Sequence, residues 1–536
     1  MTRYWPKLRA LMANRWLFAS WLGLLVLLLV APRIALDSGL SYDEEVQFVY
    51  GDLILAWYRS GFVDRGALDY RNLYLYGGLF DLSAQWLVST GLAPWGPYET
   101  RHVFTALIAV LGVVATWKAA AKIGGPSAGF LAGLTLALTP CWVGHGLFNP
   151  KDIPFAAAAA FVVYATMSIA LGPPLVRWTD VLRAGAAFGF ALGVRPGGMF
   201  LGAFLLLAAL GRIALDVRET PWRRLVLRVF AALGRLACAL PLVWALMLSA
   251  WPWAQIEPFQ RPFEAAKIAA HFDWGGHMRF NGRTITTDDI PLTYLPVWFA
   301  VTLPETYLVA VLAGLAALVA ALRVRAVERT RALAVLCLIA FVLVPYLGVV
   351  IKRPIIYDAH RHFLFLLPPM AALCGVGLSA LLRAVQIPRA FRFATLGVWS
   401  ALAVLVLVDM VRIHPYEYVY FNRSYGGLAA AKDNFETDYW GASFREGFKW
   451  VTKHIPPQGD APVRVAVCDQ SPGKWQLNYY RERWKVGDRY VVVRAERKRY
   501  DVYLAYTRND CHKRPGEVLH VVKRDGTPLL YVLGRR

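Results

Sequence analysis

The run WLFASWLGLLVLLLVAPRIA, Trp16 to Ala35, is closely followed by SYDEE, Ser41 to Glu45, and these two stretches decide the fold. At about 1.5 Å per residue the run is long enough to cross a hydrocarbon core of about 30 Å as a helix. Arg3, Lys7, Arg9 and Arg15 precede it, so the N-terminus is expected in the cytoplasm. No small-residue cleavage site closes the run, which therefore reads as a first span and not as a signal peptide. Asp43, Glu44 and Glu45 then stand just outside the membrane.

Working outward, the rest of the first 410 positions repeats this pattern. Of 536 residues 57% are hydrophobic and only 18% charged, a balance that excludes an ordinary soluble chain. Further spans are expected near 102–121, 128–146, 153–172, 182–194, 197–214, 228–250, 305–322, 333–351, 360–383 and 394–412, giving about eleven transmembrane helices in all. The net charge of +22 does not point to nucleic acid, because Lys and Arg fall in short clusters between apolar runs. An in-to-out first span puts the clusters around Lys118/Lys122, Arg177/Arg183, Arg212/Arg218/Arg223/Arg224, Arg323/Arg325/Arg329 and Arg383/Arg389/Arg392 all in the cytoplasm. That parity requires residues 46–95 to stay outside as interfacial or re-entrant helices. Val46–Trp57, amphipathic with Asp52 among apolar neighbours, suits this; whether 70–90 is re-entrant or spanning is left open by its composition.

The division expected is a transmembrane domain over 1–412, with outer loops at 37–101 and 251–305, and an extracytoplasmic α/β domain over 413–536. In the tail, Ser443–Glu446 reads as a capping box opening a helix. Val463–Cys468 and Val502–Tyr506 read as strands, and Val518–Lys523 and Pro528–Leu533 as a hairpin about Asp525–Gly526. Cys141, Cys238, Cys337 and Cys374 lie in apolar runs, whereas Cys468 and Cys511 lie in the polar tail and can pair in an oxidising compartment.

The chemistry is expected at the outer face. Asp43, with Glu44, can serve as a general base, although carboxylates there also suit a helix N-terminus, with Ser41 or Asp43 as its cap. Cations on the outer side run against the orientation bias. Lys151 stands beside Asp152 in Asn149–Pro150–Lys151–Asp152, Arg195 in Arg195–Pro196–Gly197, and Lys352, Arg353, His360 and Arg361 bracket Tyr357. Any one of them can snorkel to lipid headgroups. Three loops offering cations at one face fit an anionic headgroup, with Arg as a bidentate fork and Lys as a point charge. His271, Asp273, His277, Asp288 and Asp289 form a scattered polar set for which loop polarity is the simpler reading, and His145 reads as a core histidine.

Tyr42–Asp43–Glu44, Asn149–Pro150–Lys151–Asp152, Arg195–Pro196–Gly197 and Arg361–His362–Phe363 before Leu366–Leu367–Pro368–Pro369 resemble integral-membrane glycosyltransferases of the C fold. Protein O-mannosyltransferases and bacterial lipid A aminoarabinose transferases are the most similar. The resemblance covers roughly residues 15–410. It implies that Asp43 is the catalytic base with Glu44 in support; Lys151, Arg195, Lys352, Arg353, His360 and Arg361, read from their recurrence on three loops, are expected to hold the donor phosphate, with Asp152 and Tyr357 supporting. It further implies an inverting transfer from a polyprenyl-phosphate sugar to a hydroxyl on a lipid, glycan or protein, with no cofactor; a divalent metal is not implied. The setting is the bacterial inner membrane with its lipids, the tail in the periplasm, and no nucleic-acid partner. The tail from Asn422–Gly427 through Asp438–Gly441 matches no motif of the family. The alternatives are a lipid-linked glycan polymerase or ligase, which would grip a diphosphate, and a lipid or solute transporter. Intramembrane charges and inverted repeats, the marks of a transporter, are not found.

Overall fold

The computed structural model describes residues 14–269, 275–324, 327–468, 470–495 and 500–535. Arg3, Lys7, Arg9, His271, Asp273 and Arg325 lie outside the described residues. Among those described, nine helices are long and apolar enough to cross a membrane, and the chain is a multi-pass α-helical membrane protein with a C-terminal sheet domain.

The first span is α1 (Arg15–Ala35), capped by Asn14, whose side chain accepts from the Leu17 amide at 3.2 Å. Two short helices follow, α2 (Glu44–Arg59) and α3 (Leu79–Ser89). With 11 residues α3 reaches about 16 Å, half of what a crossing needs. The 70–90 segment therefore does not span. It is held instead by Gly77, packed against the Gly193 backbone so closely that a Cβ would lie 2.1 Å from the Gly193 oxygen. A buried polar cluster pins α2 and α3 to the next helix: Arg101 donates to Asp81 at 2.6 Å and Gln85 to Asp52 at 2.7 Å.

That next helix, α4 (Pro97–Ala137), is 41 residues long, about twice a bilayer crossing, and breaks at Gly125, whose φ of 74° only glycine adopts without strain. Its first half covers the expected span 102–121, whereas the expected span 128–146 is divided between its second half, which ends at Ala137, and a separate short helix, Pro140–Gly146. The bundle centre is α5 (Asp152–Ala170), α6 (Trp178–Val194) and α12 (Leu367–Arg383). Small residues let these backbones meet, as in membrane helix packing; a Cβ on Gly375 of α12 would lie 2.4 Å from the Ala128 oxygen of α4. Around them stand α7 (Leu201–Ala214), α8 (Trp222–Ala237), α9 (Leu240–Leu248), α10 (Glu305–Arg323), α11 (Arg329–Lys352) and α13 (Arg389–Ile413). Their exposed Leu, Val and Phe side chains form the apolar exterior expected of a lipid-facing surface.

The loop 251–305, expected outside, contains features its composition did not announce: a hairpin of β1 (His277–Phe280) and β2 (Arg283–Thr286), and a half-buried helix Tyr294–Thr302. The tail boundary also shifts. Residues 414–442 do not belong to the α/β unit, because Tyr416, Tyr418, Phe421, Phe435 and Trp440 sit in the same core as the bundle. So many large aromatic rings find enough apolar surface only on the membrane domain.

The α/β unit begins at α14 (Phe444–His454) and includes α15 (Gln470–Arg483). Its sheet runs β4 (Tyr490–Val493), β3 (Val463–Val467), β5 (Val502–Tyr506), β7 (Thr527–Gly534), β6 (Glu517–Arg524). The first three strands are parallel, with α15 crossing from β3 to β4, and β7 is antiparallel to both neighbours. Asp525 and Gly526, at φ 45° and 74°, make the hairpin turn read from the sequence. The capping box at Ser443–Glu446 does not form. Ser443 donates to Asp438 instead, and Glu446 pairs with Arg524 at 2.6 Å. Just before α2, Glu44 accepts from the Ser41 amide at 2.6 Å and from its hydroxyl at 2.9 Å, which fixes the turn into that helix without capping it.

Candidate active site

The C-terminal end of α1, the N-terminal end of α5, the C-terminal end of α6 and the stretch leading into α12 meet at one end of the bundle. Asp43, at the start of α2, does not use its carboxylate to cap that helix. The carboxylate faces Arg361, whose Nη1 lies 3.0 Å from Asp43 and 3.5 Å from Asp152. Arg361 Nη2 lies 3.3 Å from Asp358. Its guanidinium is stacked between Trp440 and Tyr357, 4.6 and 4.8 Å from the ring centroids. Arg361 is buried, whereas the Asp43 side chain keeps 33% of its surface open. A buried guanidinium thus orients a carboxylate that remains within reach of a substrate.

Lys151 and Arg195 flank this pair. Arg195 donates to Asp152, which also accepts from Asn149 at 2.8 Å. Lys151 lies over the Tyr76 ring at 3.6 Å and forms no ion pair among the described residues. The Lys151 ammonium, opposed by burial and assisted by Arg195 and Arg361, holds the Tyr76 phenol below its ordinary range. At Tyr76 these three cations therefore set a positive field. His362 completes the wall, its ring edge-on to Tyr357 at 4.7 Å.

The other expected members do not gather here. Glu44 is buried, its second oxygen 2.6 Å from His102 Nε2, so both oxygens are engaged in fixing the turn and none faces the site. Its place beside Asp43 is that of a positioning group. His360 turns away from Arg361 to Cys141, at 3.1 Å, and packs on Phe299; burial pushes its imidazole down to about 4. Lys352 and Arg353 are exposed at the end of α11, where none of the described residues covers them. His145 is a satisfied core histidine, bonded to Tyr439 at 3.1 Å and Asn149 at 3.0 Å. Among the described residues no group of three or more His, Cys, Asp or Glu is disposed to hold a metal ion.

Three members escaped the sequence reading. Asp358 bridges Arg361 to Arg508, whose Nη2 lies 2.8 Å away. Arg508 comes from the α/β unit and also donates to the Tyr439 carbonyl at 2.9 Å and faces Glu436 at 3.4 Å. Trp440 lies in the stretch Asp438–Gly441 that matched no motif. Asp438 folds that stretch by accepting from Tyr418 and from the amides of Ala442 and Ser443, at 3.2 and 3.1 Å. The turn carrying Arg508 is tied down by a disulfide between Cys468 and Cys511, with Cα atoms 5.9 Å apart, which realises the pairing expected of the two tail cysteines.

Residues 85–248 match the sequence profile of the dolichyl-phosphate-mannose-protein mannosyltransferase family. The match bears out the resemblance to C-fold membrane glycosyltransferases drawn from the motifs. No curated protein sequence matches the chain. Among solved structures, ArnT from Cupriavidus metallidurans aligns over 95% of this chain and 97% of its own at 16% identity, with TM-scores of 0.46 in the apo state and 0.45 bound to undecaprenyl phosphate. The Archaeoglobus fulgidus oligosaccharyltransferase aligns over 84% of this chain and 63% of its own at 12% identity and a TM-score of 0.43.

Proposed function

We propose that the chain transfers a sugar from a polyprenyl-phosphate donor to an acceptor hydroxyl at the outer face of a bacterial inner membrane, with inversion at the anomeric carbon. The observation that carries this reading is the convergence of Lys151, Arg195 and Arg361 beside a half-open Asp43 carboxylate. The matched family is itself named for a polyprenyl-phosphate sugar donor.

In this reading the donor phosphate sits against Lys151 and Arg195, whose charge-assisted contacts hold it at the depth of the headgroups. Asp43 takes the proton from the acceptor hydroxyl as its oxygen attacks the anomeric carbon. The bond from that carbon to the phosphate oxygen breaks, its electron pair leaving with the polyprenyl phosphate. The departing phosphate gains one negative charge at the moment Asp43 loses its own. Arg361, no longer neutralised by Asp43, then meets that new charge without rearrangement, the preorganised form of electrostatic stabilisation. No metal is needed in this scheme, because the guanidinium and ammonium groups supply the positive charge. The α/β unit takes part through Arg508, which shares Asp358 with Arg361 and so helps fix the guanidinium that faces Asp43 and Asp152.

Incubating the purified protein in nanodiscs with polyprenyl-phosphate sugars and a membrane lipid extract tests the reading. Release of free polyprenyl phosphate that depends on Asp43 supports it; no release from any donor offered contradicts it.

A further inference from the structure

A second polar cleft lies between the outer hairpin, the stretch 432–437 and the turn Arg508–Lys513 of the α/β unit. Its volume is about 90 Å³. At roughly 10–15 Å³ per water this holds several water-sized groups, the bulk of one sugar ring and less than a peptide or acyl chain needs. Its charges alternate in sign. Arg279 pairs with Asp510 at 3.4 Å, Arg508 with Glu436 at 3.4 Å, and Lys432 and Asp433 stand side by side on the exposed rim. Such an arrangement repels neither sign and favours neither, so it is poorly suited to a phosphate. It suits a ligand whose groups both donate and accept, as hydroxyls do. Thr437 and Thr507 add hydroxyls, 3.0 Å apart. His512 stacks on Tyr531 at 5.5 Å, and its buried Nδ1 has no hydrogen-bond partner among the described residues. A buried polar atom left over in a well-paired cluster calls for a ligand group.

The cleft is not isolated from the chemistry. Arg508 lines it and reaches Asp358, which reaches Arg361, which holds Asp43. One row of charged side chains therefore joins the cleft to the candidate base. We infer that this cleft binds a saccharide portion of the acceptor and presents a neighbouring hydroxyl to Asp43. The inference rests on the glycosyltransferase reading and names the acceptor's chemistry. Glu436, which burial pushes up to about 7 against the pull of Arg508, can there offer a carboxylic acid or a carboxylate to a hydroxyl.

Saturation-transfer NMR on the full chain in nanodiscs tests it, with methyl α-glucoside, methyl α-mannoside, methyl β-galactoside and N-acetylglucosamine as probes and inorganic phosphate as a competitor. At least one sugar should receive saturation. Lys432→Ala and Asp433→Ala, both at exposed positions, should each weaken it several-fold to about tenfold while leaving the melting temperature unchanged. Phosphate should not compete. No transfer to any sugar, transfer indifferent to both variants, or displacement by phosphate would overturn the inference. A parallel titration of the wild-type protein with a polyprenyl-phosphate sugar separates the two claims. Donor binding without sugar binding removes only this inference, whereas sugar binding without donor binding leaves a saccharide site and removes its role as acceptor site.

Discussion

Arg361 and Asp43, 318 positions apart, meet at 3.0 Å, and the guanidinium that orients this carboxylate also holds Asp152 and Asp358. The pair joins the first outer turn to the entrance of a span near the end of the bundle. It also sets which substitutions can be interpreted. Removing Arg361 takes a partner from buried Asp152 and Asp358, which keep Arg195 and Arg508, and leaves the partly open Asp43 unpaired, so the variant disturbs the structure of the site before it reports on chemistry.

Asp43→Asn is the cleaner probe of the base, because the amide keeps its size and a hydrogen bond to Arg361. Turnover should fall at least about a hundredfold with donor affinity retained. Retained turnover would move the role to another carboxylate, with Asp152 next.

Glu44→Gln should behave differently from its neighbour. It weakens a buried contact to His102 and the Ser41 turn, so it should cost about 1–3 kcal/mol of stability. Turnover should fall only as far as the turn moves. A specific loss of turnover at unchanged melting temperature would make Glu44 a chemical participant.

Reducing the Cys468–Cys511 bond, or replacing both residues with Ser, should destabilise the tail by about 2–4 kcal/mol. Because the same turn carries Arg508, turnover should fall with it. Mass spectrometry finding both thiols free in protein extracted without reductant would contradict the pairing.

Glu436 gives a pH signature. Its folded-state carboxyl titrates at about 7, above the 4.5 of the free side chain, with burial as the main cause. The unfolded chain therefore ionises first as pH rises. The stability that Glu436 contributes is present below pH 4.5 and is lost progressively up to about 7. Thermal melts between pH 5 and 7.5 should show Glu436→Gln removing part of that decline; an unchanged slope would place the titration elsewhere.

The parts of this site that the sequence made legible share one property: they are charges at the edges of apolar runs. Lys151, Arg195, Arg361 and Asp43 stand out there because an ionised group beside hydrocarbon needs a reason. The same rule cannot tell which cation turns inward. Lys352 and Arg353 satisfy it equally and lie on the surface. Nor can adjacency separate Asp43 from Glu44, since the choice is made by His102, 58 positions on. Arg508 and Trp440 were invisible for a different reason. They lie in a polar tail where charged and aromatic residues are ordinary; the packing of residues 414–442 onto the bundle brings Trp440 to Arg361, and Arg508 of the α/β unit then reaches Asp358. The failed capping box at Ser443 makes the same point, because a local motif yields wherever a buried partner such as Asp438 binds more strongly.

Lys151 and Arg195 are proposed to hold a polyprenyl monophosphate, and titrating purified variants with a polyprenyl-phosphate sugar tests this. Neither residue is caged as Arg361 is, so Lys151→Ala and Arg195→Lys should fold. Competition by a polyprenyl diphosphate in the same titration reports on the polymerase or ligase alternative. Each lost charge-assisted contact should contribute about 1.5–3 kcal/mol, so Lys151→Ala should weaken binding roughly tenfold to a hundredfold. Arg195→Lys should recover only part of the wild-type affinity, a point charge replacing a fork. Wild-type affinity in both variants would contradict the account and return these cations to a structural role at the membrane surface.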